Sequence, residues 1–204
     1  MPYANEVGNQ FAGLEIRMLG APQILINGRA PQGLRARKAI ALLCYLAAEL
    51  RTCSREEIAE LLWGEGALDA GKSLRVDLTK LNKHMGRWLE IRPNSLALRA
   101  GDDVRIDVHD YLQAFTETQH NPDALGVAVA GYHGDFLAGF SPPNPTPELE
   151  EWIEIWRARL RARHCDLLAR AAQHHMAHQR WQPALACAQT LHAITPLDLA
   201  VNRL

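Results

Sequence analysis

One stretch of this chain matches a phosphate-binding pattern in full. Gly66-Ala-Leu-Asp-Ala-Gly71-Lys72-Ser73 spells G-x-x-x-x-G-K-[ST], in which backbone amides cradle phosphates, the lysine neutralises them and the serine holds magnesium. That chemistry needs a buried strand delivering the loop to a helix N-terminus. The preceding Ile58-Ala-Glu-Leu-Leu-Trp63 instead has helical period and no β-branched run, so the glycines read better as a turn between two helices. A second constellation is His174 and His178, four apart, with His164, Cys165 and His175 nearby. Imidazoles at i, i+4 can share a metal, but no H-E-x-x-H accompanies them. They read as surface histidines, His175 as one packed inward, and neither a metal nor another cofactor is expected. Arg157, Arg159, Arg161 and Arg163 alternate along the chain, but odd positions spread around a helix; Glu150, Glu154, Arg157 and Arg161 line up as a solvated, self-paired face. Nothing resembles a nucleophile–base pair, so no catalytic residue and no enzyme activity are expected.

The remaining chemistry is electrostatic. On a helix at 100° per residue with Leu74 inward, Leu78, Leu81 and Met85 share its face, while Lys72, Val76, Thr79 and Lys83 point the opposite way. Arg75 and Lys80 flank that outer face. A helix entering a major groove needs N-terminal outward residues for base edges and basic residues for phosphates. Lys72, Arg75, Val76 and Thr79 suit the first role, Lys80 and Lys83 the second. Taken alone, the same helix reads rather as an ordinary amphipathic surface helix with solvated charges; the flanking hairpin and the order of elements favour the groove reading. Arg92, Asn94, Ser95 and Arg99 lie near a hairpin turn that could reach a minor groove or phosphate, and Arg35, Arg37 and Lys38 open an earlier helix that could touch the backbone.

The elements that must carry these residues are legible from period and punctuation. Leu14 to Leu19 alternates apolar and polar as a half-buried strand, and Ile24-Leu-Ile26 with Asn27-Gly28 reads as a second strand ending in a hairpin turn. Lys38 to Leu50 is a buried helix. Ser54-Arg-Glu-Glu57 is a capping box that opens a short helix stopping at Trp63-Gly64. A third helix runs to Gly86, and Trp88–Arg92, Pro93-Asn94 and Ser95–Arg99 form a β-hairpin, followed by a strand Val104 to Val108. From Asp110 onward everything except the loop Ser141–Thr146 reads as helix, with Pro147 suited to a first helical position. Leu168, Ala171, Ala172, Ala184, Ala188 and Pro196 fit the small-and-apolar positions of one 34-residue tetratricopeptide pattern. A single repeat cannot bury its own face, so a longer array is expected beyond residue 204.

Composition agrees with a globular chain: 204 residues, 48% hydrophobic and 22% charged, with a formal net charge of −1. The longest apolar run, Ala39 to Ala48, is too short to cross a bilayer, and residues 1–13 carry no secretory signal. Cys44, Cys53, Cys165 and Cys187 form no C-x-x-C pair, which points to a soluble, reduced, cytoplasmic protein. Charge is uneven: residues 1–99 hold 14 basic against 10 acidic side chains, the rest 8 against 13. The expected organisation is a flexible tail over 1–13, an α+β winged helix-turn-helix domain over 14–108 and an all-α, tetratricopeptide-like helical domain over 109–204.

This order of motifs resembles the SARP-type bacterial transcriptional activators, an OmpR/PhoB-like winged helix joined to a bacterial transcriptional activator domain. The matching stretches are Leu14–Gly20, Arg35–Ala39, Ser54–Trp63, Ser73-Leu-Arg75 with Leu78 and Leu81, Ile106-Asp-Val108 with Tyr111 and Phe115, Tyr132–Leu137, and Glu151-Trp152 with Arg157. Asn82-Lys83 stands where family members often carry Leu-Arg. The resemblance implies binding to double-stranded DNA, at direct repeats near promoters, and activation by helping recruit RNA polymerase. Apolar stripes on the helical part suit self-association or another partner. The alternative is a helical-repeat interaction module whose winged helix does not bind DNA.

Overall fold

The computed structural model describes residues 11–195. Strand β1 (Leu14–Arg17) sits between β2 (Gln23–Ile26), antiparallel to it, and β6 (Val104–Ile106), parallel to it. The period-two reading is realised: Leu14 and Ile16 are fully buried, whereas Glu15 and Arg17 face out and pair with each other at 2.7 Å. Gly13 leads into β1 where a Cβ would lie 2.2 Å from the Asp103 carbonyl oxygen, so only glycine fits this approach. Asn27 and Gly28, both at positive φ, form a two-residue turn closed by paired backbone hydrogen bonds between Ile26 and Arg29. Of the expected tail, residues 1–10 lie outside the described residues, while Phe11 packs under the Arg105 guanidinium at 4.2 Å.

Helix α1 (Arg37–Glu49) is buried over nearly its whole length because elements from both halves of the chain cover it. A short β3 (Cys53–Ser54) leads into α2 (Arg55–Trp63), whose start is the predicted capping box: the Glu57 amide donates to Ser54 Oγ at 3.0 Å, and the Glu57 carboxylate accepts from the Ser54 amide. Gly64, at φ 90°, ends α2, and α3 (Ala70–Met85) follows. Strands β4 (Leu89–Ile91) and β5 (Ser95–Leu98) form the predicted hairpin, and β3 completes a second sheet in the order β3-β5-β4. Asp103 ties the two sheets together, accepting from Trp88 Nε1 at 2.8 Å and from Arg87 at 2.7 Å.

Two sequence expectations need correction. The last strand stops at Ile106, because Asp107 already begins α4 (Asp107–Glu117) and its carboxylate accepts the Met18 and Leu19 amides at 2.8 Å. After α5 (Leu125–Ala130), residues 131–140 are not the expected helix, and they run on into the loop expected over 141–146. Gly134, Leu137 and Gly139 take positive φ, and the segment instead hydrogen-bonds along β1's continuation, Leu137 to Met18 and Gly20 to Asp135. Helix α6 (Pro147–Ala177) carries Leu149, Ile153, Trp156, Leu160, Leu167, Leu168 and Ala171 into the core and is paired with α7 (Trp181–Ile194). Pro196 lies outside the described residues. One core runs from Leu14 to Ala171, across position 108: Tyr45 packs on Trp152 at 5.0 Å, and Glu49 accepts both the Trp152 and Trp156 indole N–H groups.

Candidate nucleic-acid interface

Helix α3 presents the expected two faces. Leu74, Leu78, Leu81 and Met85 are buried, and Lys72, Arg75, Val76, Thr79, Lys80 and Lys83 are exposed. Val76 is 50% exposed, which for an aliphatic side chain on a surface helix leaves it open to contact a partner. The Thr79 hydroxyl donates to the Arg75 carbonyl one turn back at 2.9 Å, so the hydroxyl is already engaged on an exposed residue. Among the described residues, Lys72, Arg75 and Lys83 make no side-chain hydrogen bond or ion pair.

Asp77, which sequence reasoning missed, is buried on the flank of α3, where its carboxylate accepts from Lys80 Nζ at 2.7 Å. Lys80 therefore carries an ion pair along the helix rather than a lone positive charge. Lys38 is also committed: its Nζ donates to the Leu62 carbonyl at 2.7 Å and lies over the Trp63 ring. It thereby satisfies one of the carbonyls left open at the end of α2. Burial pulls the Lys38 ammonium below its usual value, and nearby Asp77 opposes that shift. Arg37, Lys38, Lys72, Val76 and Lys80 line one cleft of about 470 Å³, together with Trp63 and, from the other half of the chain, Pro143. Neither Trp63 nor Pro143 gave a sequence signal for this role, since their approach depends on contacts distant in the chain.

Arg92, Asn94 and Ser95 lie together at the hairpin turn, but Arg99 does not. Its amide donates to the Trp88 carbonyl at 2.8 Å, at the opposite end of the β4–β5 ladder, because β5 runs the length of the hairpin between Ser95 and Arg99. Arg92, Asn94 and Arg99 are exposed, and Ser95 is half-buried where it pairs with Ser54. Arg92 forms an ion pair with Glu90. The turn is held by Arg55, whose backbone N–H donates to the Asn94 carbonyl and whose Nε donates to the Arg92 carbonyl, both at 3.0 Å. Arg55 was not singled out from sequence, although it directly follows the capping Ser54. Arg35 is exposed ahead of α1.

The other constellations resolve differently. Gly66 lies in the turn after α2, and Gly71, Lys72 and Ser73 form the first turn of α3. The Ser73 amide already donates to the Asp69 carbonyl at 2.8 Å, and a helix rather than a strand precedes the loop. The phosphate-loop pattern is thus spelled without its geometry. The expected ladder holds in one rung, Arg157 to Glu154 at 2.5 Å, but its two arginines are mainly engaged elsewhere. Arg157 donates to the Phe136 and Leu137 carbonyls at 2.9 and 3.0 Å, and Arg161 pairs with Asp135, so both grip the segment that docks on β1. His164 is buried, contrary to a surface reading, and stacks on Tyr132 with ring centroids 4.2 Å apart. His174 and His178 contact each other at 4.4 Å, and no group of three metal-ligating side chains is present among the described residues.

No family model and no curated protein sequence matches the chain. Among solved structures it is similar to EmbR of Mycobacterium tuberculosis, determined in complex with a low-affinity phosphopeptide, with 20% identity and a TM-score of 0.72. The likeness covers 92% of this chain and 52% of the EmbR chain, so the chain spans about half the length of the protein it matches. At that identity the likeness is one of fold: small sheets and helices arranged as a winged helix with a helical part. No helix among the described residues is long and apolar enough to cross a membrane.

Proposed function

We propose that this chain is a sequence-specific double-stranded DNA-binding transcription regulator of the cytoplasm, and an activator that helps recruit RNA polymerase at direct repeats near promoters. The observation that carries this reading is the outer face of α3, where Lys72, Arg75, Val76, Thr79 and Lys83 stand exposed beside a basic cleft. Such a face supplies base-edge and phosphate contacts on one helix. The fold shared with EmbR supports it, as does the SARP-like order of motifs. In this reading residues 14–108 form the DNA-binding unit, the hairpin residues Arg92, Asn94, Ser95 and Arg99 with Arg35 contact backbone, and residues from 109 on form a tetratricopeptide-like unit for partners. Neither cofactor nor catalysis is part of the proposal. Selection of bound duplexes from a random-sequence pool tests it: enrichment of a directly repeated motif is expected, and recovery of unenriched sequence would contradict specificity.

A second reading has its own observation. Trp181 is 64% exposed and Leu185 52% exposed, one turn apart on α7, an apolar face fit for protein contact. A helical interaction module that ignores DNA would use that face and leave α3 idle. Retention of no duplex at low salt would favour it.

A further inference from the structure

Resting on the DNA reading of the α3 cleft, we propose that Phe140 is a positioning residue: its ring holds the Arg37 guanidinium at the cleft rim, where Arg37 binds a backbone phosphate. The helical half of the chain then builds part of the DNA interface. Arg37 opens α1 and lies over the Phe140 ring at 5.2 Å. It shares the cleft with Lys72, Val76 and Pro143. Unlike Lys38 and Lys80, it makes no hydrogen bond or ion pair through its side chain among the described residues. A guanidinium laid on an aromatic face keeps its in-plane N–H donors available and surrenders less freedom when an anion arrives.

Phe140 is itself fixed. Its side chain is buried and its amide donates to the Leu137 carbonyl at 3.1 Å. The Phe136 and Leu137 carbonyls are gripped by Arg157 from α6. A few residues on, Thr146 Oγ1 donates to the Leu61 carbonyl near the end of α2 while capping α6. The path from α6 through residues 136–140 to Arg37 is therefore continuous, and Pro143 from the same segment also lines the cleft.

The test uses the full chain and a fluorescent random-sequence duplex, because a phosphate contact is blind to sequence. Wild-type protein, Arg37→Ala, Arg37→Lys, Phe140→Leu, Phe140→Trp and the Arg37→Ala/Phe140→Leu pair are titrated across salt, with melting curves to verify folding. Arg37→Ala is expected to reduce the slope of log affinity against log salt by about 0.9, the value of one phosphate contact. Phe140→Leu should weaken binding severalfold with a shallower slope, Phe140→Trp should restore both, and the double variant should match Arg37→Ala alone. Arg37→Lys keeps the charge but not the planar stack, so it should bind severalfold more weakly than wild type, and because it leaves Phe140 in place it decides the matter even if Phe140→Leu fails to fold. An unchanged slope in Arg37→Ala, wild-type binding by Arg37→Lys, or equal losses from Phe140→Leu with and without Arg37 would each overturn the inference while leaving the DNA reading intact. Absence of salt-dependent binding by the wild-type chain would overturn both.

Discussion

Arg75 and Thr79 stand one turn apart on α3, joined by the Thr79 hydroxyl bond to the Arg75 carbonyl. Both residues are exposed, and a guanidinium and a threonine methyl are groups that can read a guanine edge and a thymine methyl. Replacing either residue by alanine is expected to cost about 1–3 kcal/mol on the selected site and less on random DNA. Lys83→Ala should weaken both equally, and fluorescence anisotropy on the two duplexes separates these patterns. Equal losses everywhere for Arg75→Ala would mean that it meets only phosphate. The outward set was legible in the sequence because it follows from 100° steps along one helix. Partners fixed from elsewhere were not: Lys38, placed for a phosphate by its position in the sequence, serves the Leu62 carbonyl, and the burial that makes Asp77 the partner of Lys80 depends on what packs against α3.

At the scale of elements, local signals served well where the chain bonds to itself nearby. The Ser54–Glu57 capping box, the Gly64 stop and the β4–β5 hairpin all depend on residues within a few positions. Residues 131–140 read as helix because their true partner, the end of β1, lies more than 100 residues away. The histidines show the same limit, since His164 is buried on α6 by Tyr132, itself placed by that segment. Burial pushes the His164 imidazole below its ordinary value, so the folded chain resists its protonation more than the unfolded chain does. The unfolded chain takes up that proton below about pH 6.5, so stability should begin to fall there as pH drops. A second loss begins lower. Arg51 holds the Glu57 carboxyl low and Arg161 does the same for Asp135, so their stabilisation is present above about pH 4 and lost as pH falls through their folded values. His164→Phe keeps a ring against Tyr132 and removes the first loss. Urea midpoints at about pH 7 and about pH 5 should therefore differ less in that variant than in the wild type. An equal difference in both would assign the acid sensitivity to other groups.

Across the whole molecule, the two halves share one core rather than meeting at a linker. Tyr45, Glu49, Trp152 and Trp156 join α1 to α6, and Asp107 fastens α4 to the end of β1. The order of elements was readable from sequence, but this shared core was not, because hydrophobic stripes reveal a buried face without naming what covers it. Thermal unfolding followed by tryptophan fluorescence and by far-ultraviolet circular dichroism should accordingly give one coincident transition, and two separated transitions would contradict a shared core. The central claim, that the face of α3 and its neighbours bind DNA, is tested most directly by titrating the wild-type chain against duplex DNA over a range of salt. With roughly 4–6 phosphate contacts, log affinity should fall against log salt with a slope of about −4 to −5. A flat response, or no retention of duplex even at low salt, would contradict it.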